Sequence, residues 1–142
     1  MEIRILIPVD GSETSQHTIE AILADKQRFP HKLYLLHVVD DDKLAYRMIP
    51  DFQVEMVREN ARKAGQQVLE QRAEPLRQAG FDVELRLELG SPRQVIPQIA
   101  NSEEFQLLVI GRHAGTGEIR DVLFGSVANY VLHNVKCPVL LF

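Results

Sequence analysis

The sequence predicts an open α/β fold, a parallel sheet with helices packed on both faces. Strand-length apolar runs alternate with helix-length segments from one end of the 142-residue chain to the other. Each connection between successive strand runs is too long for a hairpin and has to cross over the sheet. The first run, Ile3 to Val9, is rich in β-branched residues and carries no regular polar face, as a mostly buried strand requires.

The elements follow in the order β-α-β-α-β-α-β-α-β. Asp10-Gly11-Ser12 ends the first strand, and Ser12 is placed to cap a helix whose apolar positions Ile19, Ile22 and Leu23 recur at helical spacing. Pro30 closes that unit. Leu33 to Val39 is the second strand; the acidic turn Asp40-Asp41-Asp42 follows, and the stretch down to Pro50 is expected to be a mobile loop. From about Phe52 to Ala79 the residues Phe52, Met56, Ala64, Val68, Leu69 and Leu76 repeat with helical periodicity. Pro75 lacks the N–H that a helix interior uses, which predicts a kink or break near Ala73-Glu74, and Gly80 is suited to ending the helix. Val83, Leu85, Leu87 and Leu89 alternate with Glu84, Arg86 and Glu88, so a third strand with one wet face is expected at a sheet edge. Gly90-Ser91-Pro92 opens a short helix, with Ser91 as its cap, Pro92 in the first position and Val95, Ile96 and Ile99 as its apolar side. Gln106 to Ile110 forms the fourth strand, a helix runs from Leu123 or Gly125 to His133, and Pro138 to Phe142 is the last strand. With no linker, repeat or low-complexity segment, a single domain over residues 1–142 is expected.

Composition excludes several classes of function. The chain is 45% hydrophobic and 25% charged, with a formal net charge of −4, which argues against nucleic acid or an anionic membrane as the main partner. Its apolar stretches are strand-length, too short to span a bilayer. The first residues enter a strand pattern directly, without the h-region of a secretory signal. The single cysteine, Cys137, allows no internal disulfide. A soluble cytoplasmic protein is the expectation.

Two loops carry candidate chemistry, both at the C-terminal ends of predicted strands, where open parallel sheets bind ligands. In the first, Pro8-Val9-Asp10-Gly11-Ser12, the Asp10 carboxylate is able to accept hydrogen bonds from a ribose hydroxyl or an adenine amino group. Making the turn and supporting the helix cap is the alternative use of Asp10 and Ser12, and both remain open here. The second is Gly111-Arg112-His113-Ala114-Gly115, followed after nine residues by Gly125-Ser126. Glycines after a strand and a Gly-Ser at a helix start present backbone N–H groups to an anion, usually phosphate. It is not a Walker A loop, because no Gly-Lys-Ser/Thr occurs, and no dinucleotide fingerprint follows the first strand.

These pieces, in their order and spacing, resemble the universal stress protein family over essentially the whole chain. The matching segments are Ile5-Leu6-Ile7-Pro8-Val9-Asp10-Gly11-Ser12, Leu35-Leu36-His37-Val38, Gly90-Ser91-Pro92, the glycine segment through Gly125-Ser126-Val127, and Lys136-Cys137-Pro138-Val139-Leu140-Leu141. The resemblance implies an adenine nucleotide alpha hydrolase-like fold, five strands in the order 3-2-1-4-5, with both suggestive loops opening onto one crevice. It implies a stress-response protein with ATP, with or without Mg2+, as ligand. Pro8, Val9, Asp10 and Val38 would then hold adenine and ribose. Gly111, Gly115, Gly125, Ser126 and Val127 would hold ribose and phosphates, assisted by Arg112 and His113 as donors. A homodimer paired through strand 138–142 and a regulatory protein partner are implied as well. In one respect the sequence departs from the family's ATP-binding pattern: three residues, not two, separate Gly111 from Gly115.

Two rival readings stand beside this one. One is an interaction module of the same family with a vestigial crevice, which the longer glycine spacing favours. The other is a slow ATP hydrolase or phosphotransferase, for which no nucleophile with an adjacent base is evident. Of the remaining residues, His37 is expected to be a strand residue with a satisfied ring and Cys137 a packing residue. His17, His31 and His133 show no metal-ligand spacing.

Overall fold

The computed structural model of the protein describes residues 3–41, 50–111 and 126–142. The mobile loop expected down to Pro50 falls largely outside these residues.

Strand β1 (Ile5–Pro8) lies at the centre of the sheet. Strand β2 (Lys32–Asp40) pairs with it on one side and β4 (Leu107–Ile110) on the other; β3 (Asp82–Gly90) and β5 (Val139–Leu141) form the edges. The order is β3-β2-β1-β4-β5 and every pairing is parallel, as expected. Ile5, Leu6 and Ile7 are 2%, 1% and 0% exposed, so β1 is buried on both faces. Its alternating side chains feed two cores. Ile5, Ile7 and Val9 join Leu33 and Leu35 of β2 under helices α1 (Glu13–Ala24) and α2 (Asp51–Gln78). Leu6, Leu36, Val38 and Leu108 pack on the opposite face under α3 (Pro92–Ser102) and α4 (Ser126–Asn134).

The helix ends follow their sequence signals with one adjustment, at Ser91. Ser12 caps α1, its hydroxyl accepting from the Ser15 N–H at 3.3 Å. Ser91 occupies the capping position of α3 but makes no side-chain capping bond; its carbonyl accepts from Val95 N at 2.9 Å instead. Gly80 has φ +100° immediately beyond α2, and the N–H of Phe81 bonds back to Leu76 while that of Gly80 bonds to Arg77. This is the paired closure that a left-handed residue permits, with buried Phe81 sealing the end.

Helix α2 departs from expectation twice. It runs unbroken through Pro75. The proline stands in the last turn, where only one ladder bond is forfeited and Leu69, Ala73 and Leu76, all buried, hold the helix to the sheet. At the other end Phe52 and Met56, which share the helical apolar spacing, are 79% and 64% exposed. The helix is 28 residues long and its first turns carry no buried residue; burial starts at Gly65. The apolar spacing there is real, but the helix has run past the sheet that would cover it.

Gly65 sets how close α2 lies to the sheet. A Cβ built at this position would stand 2.8 Å from Leu87 Cδ1 and 3.0 Å from both His37 Cδ2 and Val39 Cγ2. Valine there has no room, and Gly65→Val is expected to lower unfolding stability by about 1–3 kcal/mol through overpacking. Urea denaturation checks this as a lower midpoint with an unchanged slope.

Candidate functional site

At the C-terminal edge of the sheet the chain leaves β1 toward one layer of helices and β4 toward the other. The crevice between them opens into a cavity of about 650 Å³. This is the size range of small-molecule sites, at the switch point where parallel sheets place them. Pro8, Val9, Asp10 and Val38 line it, as do Gly111 and Val127. The first loop and the described ends of the second, Gly111 and Val127, are thus brought to one space, although about a hundred residues separate them. Ser126 begins α4. Arg112, His113, Gly115 and Gly125 lie outside the described residues.

The β1–α1 loop is built around one carboxylate oxygen. Asp10 Oδ1 accepts from the Ser12 N–H at 2.8 Å, from the Ser12 hydroxyl and from the Ser15 hydroxyl at 3.0 Å. In return the Asp10 N–H donates to Ser15 Oγ at 2.8 Å. Ser15 is buried and therefore braces Asp10 from within the helix, a contact that the capping pattern alone does not disclose. Both alternatives for Asp10 are thereby combined: one oxygen organises the turn and cap, and the residue still lines the cavity. Burial pushes its carboxyl up, yet the bonds from Ser12 and Ser15, with the nearby His37, outweigh this and hold it below the ordinary 3.8. Asp10 is therefore ionised at neutral pH and acts only as an acceptor.

His37 stands beside it. Its Nδ1 lies 2.8 Å from the Val9 carbonyl, which accepts only, so Nδ1 carries a proton and donates it there. The ring is satisfied, as expected, and it also lines the cavity. From α2, Arg72 reaches across to the same loop: Nε donates to the Asp10 carbonyl at 3.0 Å and a terminal nitrogen to the Ser12 carbonyl at 3.2 Å. No short-range sequence signal marks Arg72, because its partners are about sixty residues away. Ala61, Ala64, Gly65 and Val68, the small-residue side of α2, form a further wall.

Gly111 has a packing reason to be glycine. A Cβ there would collide with Thr18 Oγ1 and come within 2.7 Å of Thr14 Cγ2, so the end of β4 is pressed onto the first turns of α1. Its smallness serves this approach as well as the opening of the cavity. No lysine or arginine is among the described residues lining the cavity. No three His, Cys, Asp or Glu side chains gather as a metal site among the described residues. Cys137 packs against the α3–α4 core, and burial pushes its thiol up, away from the reactive thiolate.

Fold and crevice together define an α/β protein with a cavity at the switch point of its sheet. The profile described as "Universal stress protein family" matches residues 2–142, and the chain belongs to that family. It is 28% identical over 138 residues to universal stress protein MJ0531 of Methanocaldococcus jannaschii, spanning 97% of this chain and 80% of the relative. Universal stress protein MJ0577 of the same organism is 26% identical over 152 aligned positions, spanning 97% of this chain and 93% of the relative. The solved structure of MJ0577 superimposes with a TM-score of 0.77 at 28% identity, covering 99% of this chain and 95% of that one. A universal stress protein of Archaeoglobus fulgidus, solved in complex with dAMP, shares the fold with a TM-score of 0.62 at 20% identity, over 98% and 96% of the two chains.

Because the Asp10 carboxyl is held below 3.8 in the folded chain, its contribution to stability is complete above 3.8 and is lost as pH falls through the lower folded value. Ser15→Ala removes one of the lowering bonds. The Asp10 titration, followed by NMR of its side-chain carbon, is expected to move up toward 3.8, and the acid-unfolding limb to lose part of its low-pH reach.

Proposed function

We propose that this protein binds an adenine nucleotide in the crevice between β1 and β4 and acts as a nucleotide-gated regulator in the cytoplasmic stress response. The observation that carries the proposal is the cavity lined by both Asp10, an ionised acceptor after β1, and Gly111, a glycine at the end of the adjacent β4. Asp10 demands hydrogen-bond donors, which a ribose hydroxyl and the adenine amino group supply. Val9 and Val38, both buried, offer apolar surface to a base. An ionised acceptor beside apolar surface suits the nucleoside half of the ligand.

The phosphate half falls to Gly111 and, on the family resemblance, to Arg112, His113, Gly115, Gly125, Ser126 and Val127. ATP is the proposed ligand, and Mg2+ would accompany it on its own phosphates. The dAMP complex in the family supports an adenine mononucleotide as a further candidate. An interaction module with a vestigial crevice is the second reading, favoured by the extra residue between Gly111 and Gly115.

Calorimetric titration of nucleotide-stripped protein with ATP and AMP decides between the two. Saturable binding is expected, and Asp10→Ala should weaken it about ten- to a hundredfold, the worth of hydrogen bonds to a charged group. Absence of heat at millimolar ATP would leave the module reading in place.

Self-association belongs to the proposal as well. Val139, Leu140, Leu141 and Phe142 are only partly buried on the β5 edge, and a second copy pairing there would cover them. Light scattering at micromolar concentration is expected to give the mass of a dimer; a stable monomer would refute the pairing.

A further inference from the structure

The loop that carries Asp10 has little to rest on. Gly11 stands clear among the described residues, with none of their atoms within 4 Å of where a Cβ would be, so none of them packs on that side of the loop tip. Its internal bonds among Asp10, Ser12 and Ser15 shape the loop, but they are all local and fix nothing relative to the far wall of the cavity. The tie to that wall is Arg72. Its planar fork spans the two carbonyls on either side of Gly11 with Nε at 3.0 Å and a terminal nitrogen at 3.2 Å, a geometry that a lysine ammonium does not reproduce. The Ser12 carbonyl also accepts from Gln16 N at 3.2 Å, so Arg72 grips the first turn of α1 together with the loop. Arg72 itself is not among the residues lining the cavity. The helix it belongs to is, through Gly65 and Val68, and its distance from the sheet is fixed by the glycine contact at Gly65.

We infer that Arg72 is a positioning residue, which sets the direction of the Asp10 carboxylate in the cavity from the seat of α2 without touching the ligand. The inference rests on the nucleotide reading for its functional meaning, but the clamp itself is independent of any ligand. In a protein whose loop is held this way, the ligand meets Asp10 already aimed. Removal of the fork makes each binding event order the loop first, and affinity falls by that cost.

Arg72→Met keeps the stem of the side chain and deletes the fork; Arg72→Lys keeps the charge. With AMP as the calorimetric probe, Arg72→Met is expected to bind about tenfold more weakly, the scale of a lost charge-assisted bond, and Arg72→Lys to recover only part of that. Because Arg72 acts through Asp10, the double variant Asp10→Ala, Arg72→Met should bind no more than about twofold more weakly than Asp10→Ala alone. Fully additive losses would assign Arg72 a general structural role and overturn the inference. Amide hydrogen exchange on the ligand-free protein supplies the second readout. Residues Gly11 to Ser15 should exchange about tenfold faster in Arg72→Met while the β2 and β3 amides stay as they were, a local opening of the loop alone. Unchanged exchange in that segment overturns the inference even if AMP binds. If the parent protein binds neither AMP nor ATP, the nucleotide reading fails on its own, and the exchange result still decides whether Arg72 holds the loop.

Discussion

A strand buried on both faces has to satisfy two cores at once, and the rest of the molecule is arranged around that demand on β1. Ile5 and Ile7 point to one layer of helices and Leu6 to the other, all essentially without solvent exposure. The chain moves outward from β1 to β2 and β3, then returns across the sheet to β4 and β5. Crossovers in a parallel sheet share one hand, so reversing the direction of travel puts the later helices on the opposite face. The helices flanking β1 and β4 therefore diverge, and the gap between them is a consequence of the strand order. The crevice is not carved into the fold; it is what the reversal leaves open.

What fills the rim of that gap is polar and tightly interlinked. A single carboxylate oxygen takes donors from Ser12 and Ser15, and this shapes the turn, starts α1 and keeps Asp10 charged by the same bonds. The charge is thus a by-product of how the helix is begun. From the neighbouring strand β2, His37 donates to the Val9 carbonyl, so the first two strands are joined just beyond the end of β1. Helix α2 adds the remote tie through Arg72, and Gly65 allows that helix close enough to make it.

Fold class and most element ends could be read from local signals in the sequence, whereas the strand order was legible only through the family resemblance. Alternation along Val83 to Leu89 marked the edge strand, Gly80 marked the end of α2, and Ser12 marked the start of α1. The failures have physical causes of their own. Phe52 and Met56 keep the spacing of a buried face, but periodicity cannot reveal where a long helix runs out of sheet to lie on. Pro75 looked like a break because its ring removes a ladder bond, but this close to the helix end that Gly80 marks, the single lost bond is outweighed by the buried Leu69, Ala73 and Leu76. Gly111 invited a ligand explanation, and the contact with Thr14 and Thr18 that also requires glycine there joins residues far apart in sequence. Asp10 was legible as a candidate because it follows a strand; Ser15 and Arg72 were not, since nothing near either in the chain records what its side chain reaches.

The two edges of the sheet differ in kind. On β3 the side chains Glu84, Arg86 and Glu88 line one face, and Arg86 is bonded to Glu88 at 3.0 Å and to Glu103 at 2.5 Å, which keeps this border wet and charged. The β5 border is apolar from Val139 to Phe142. A sheet with two adhesive borders can add copies indefinitely, each newcomer offering a fresh edge to the next. With one adhesive border, any pairing through it uses up the surface that growth would need. The asymmetry of charge between the borders would therefore limit the proposed assembly: pairing through β5 would leave only the charged β3 borders outside, favouring a closed pair over a fibre.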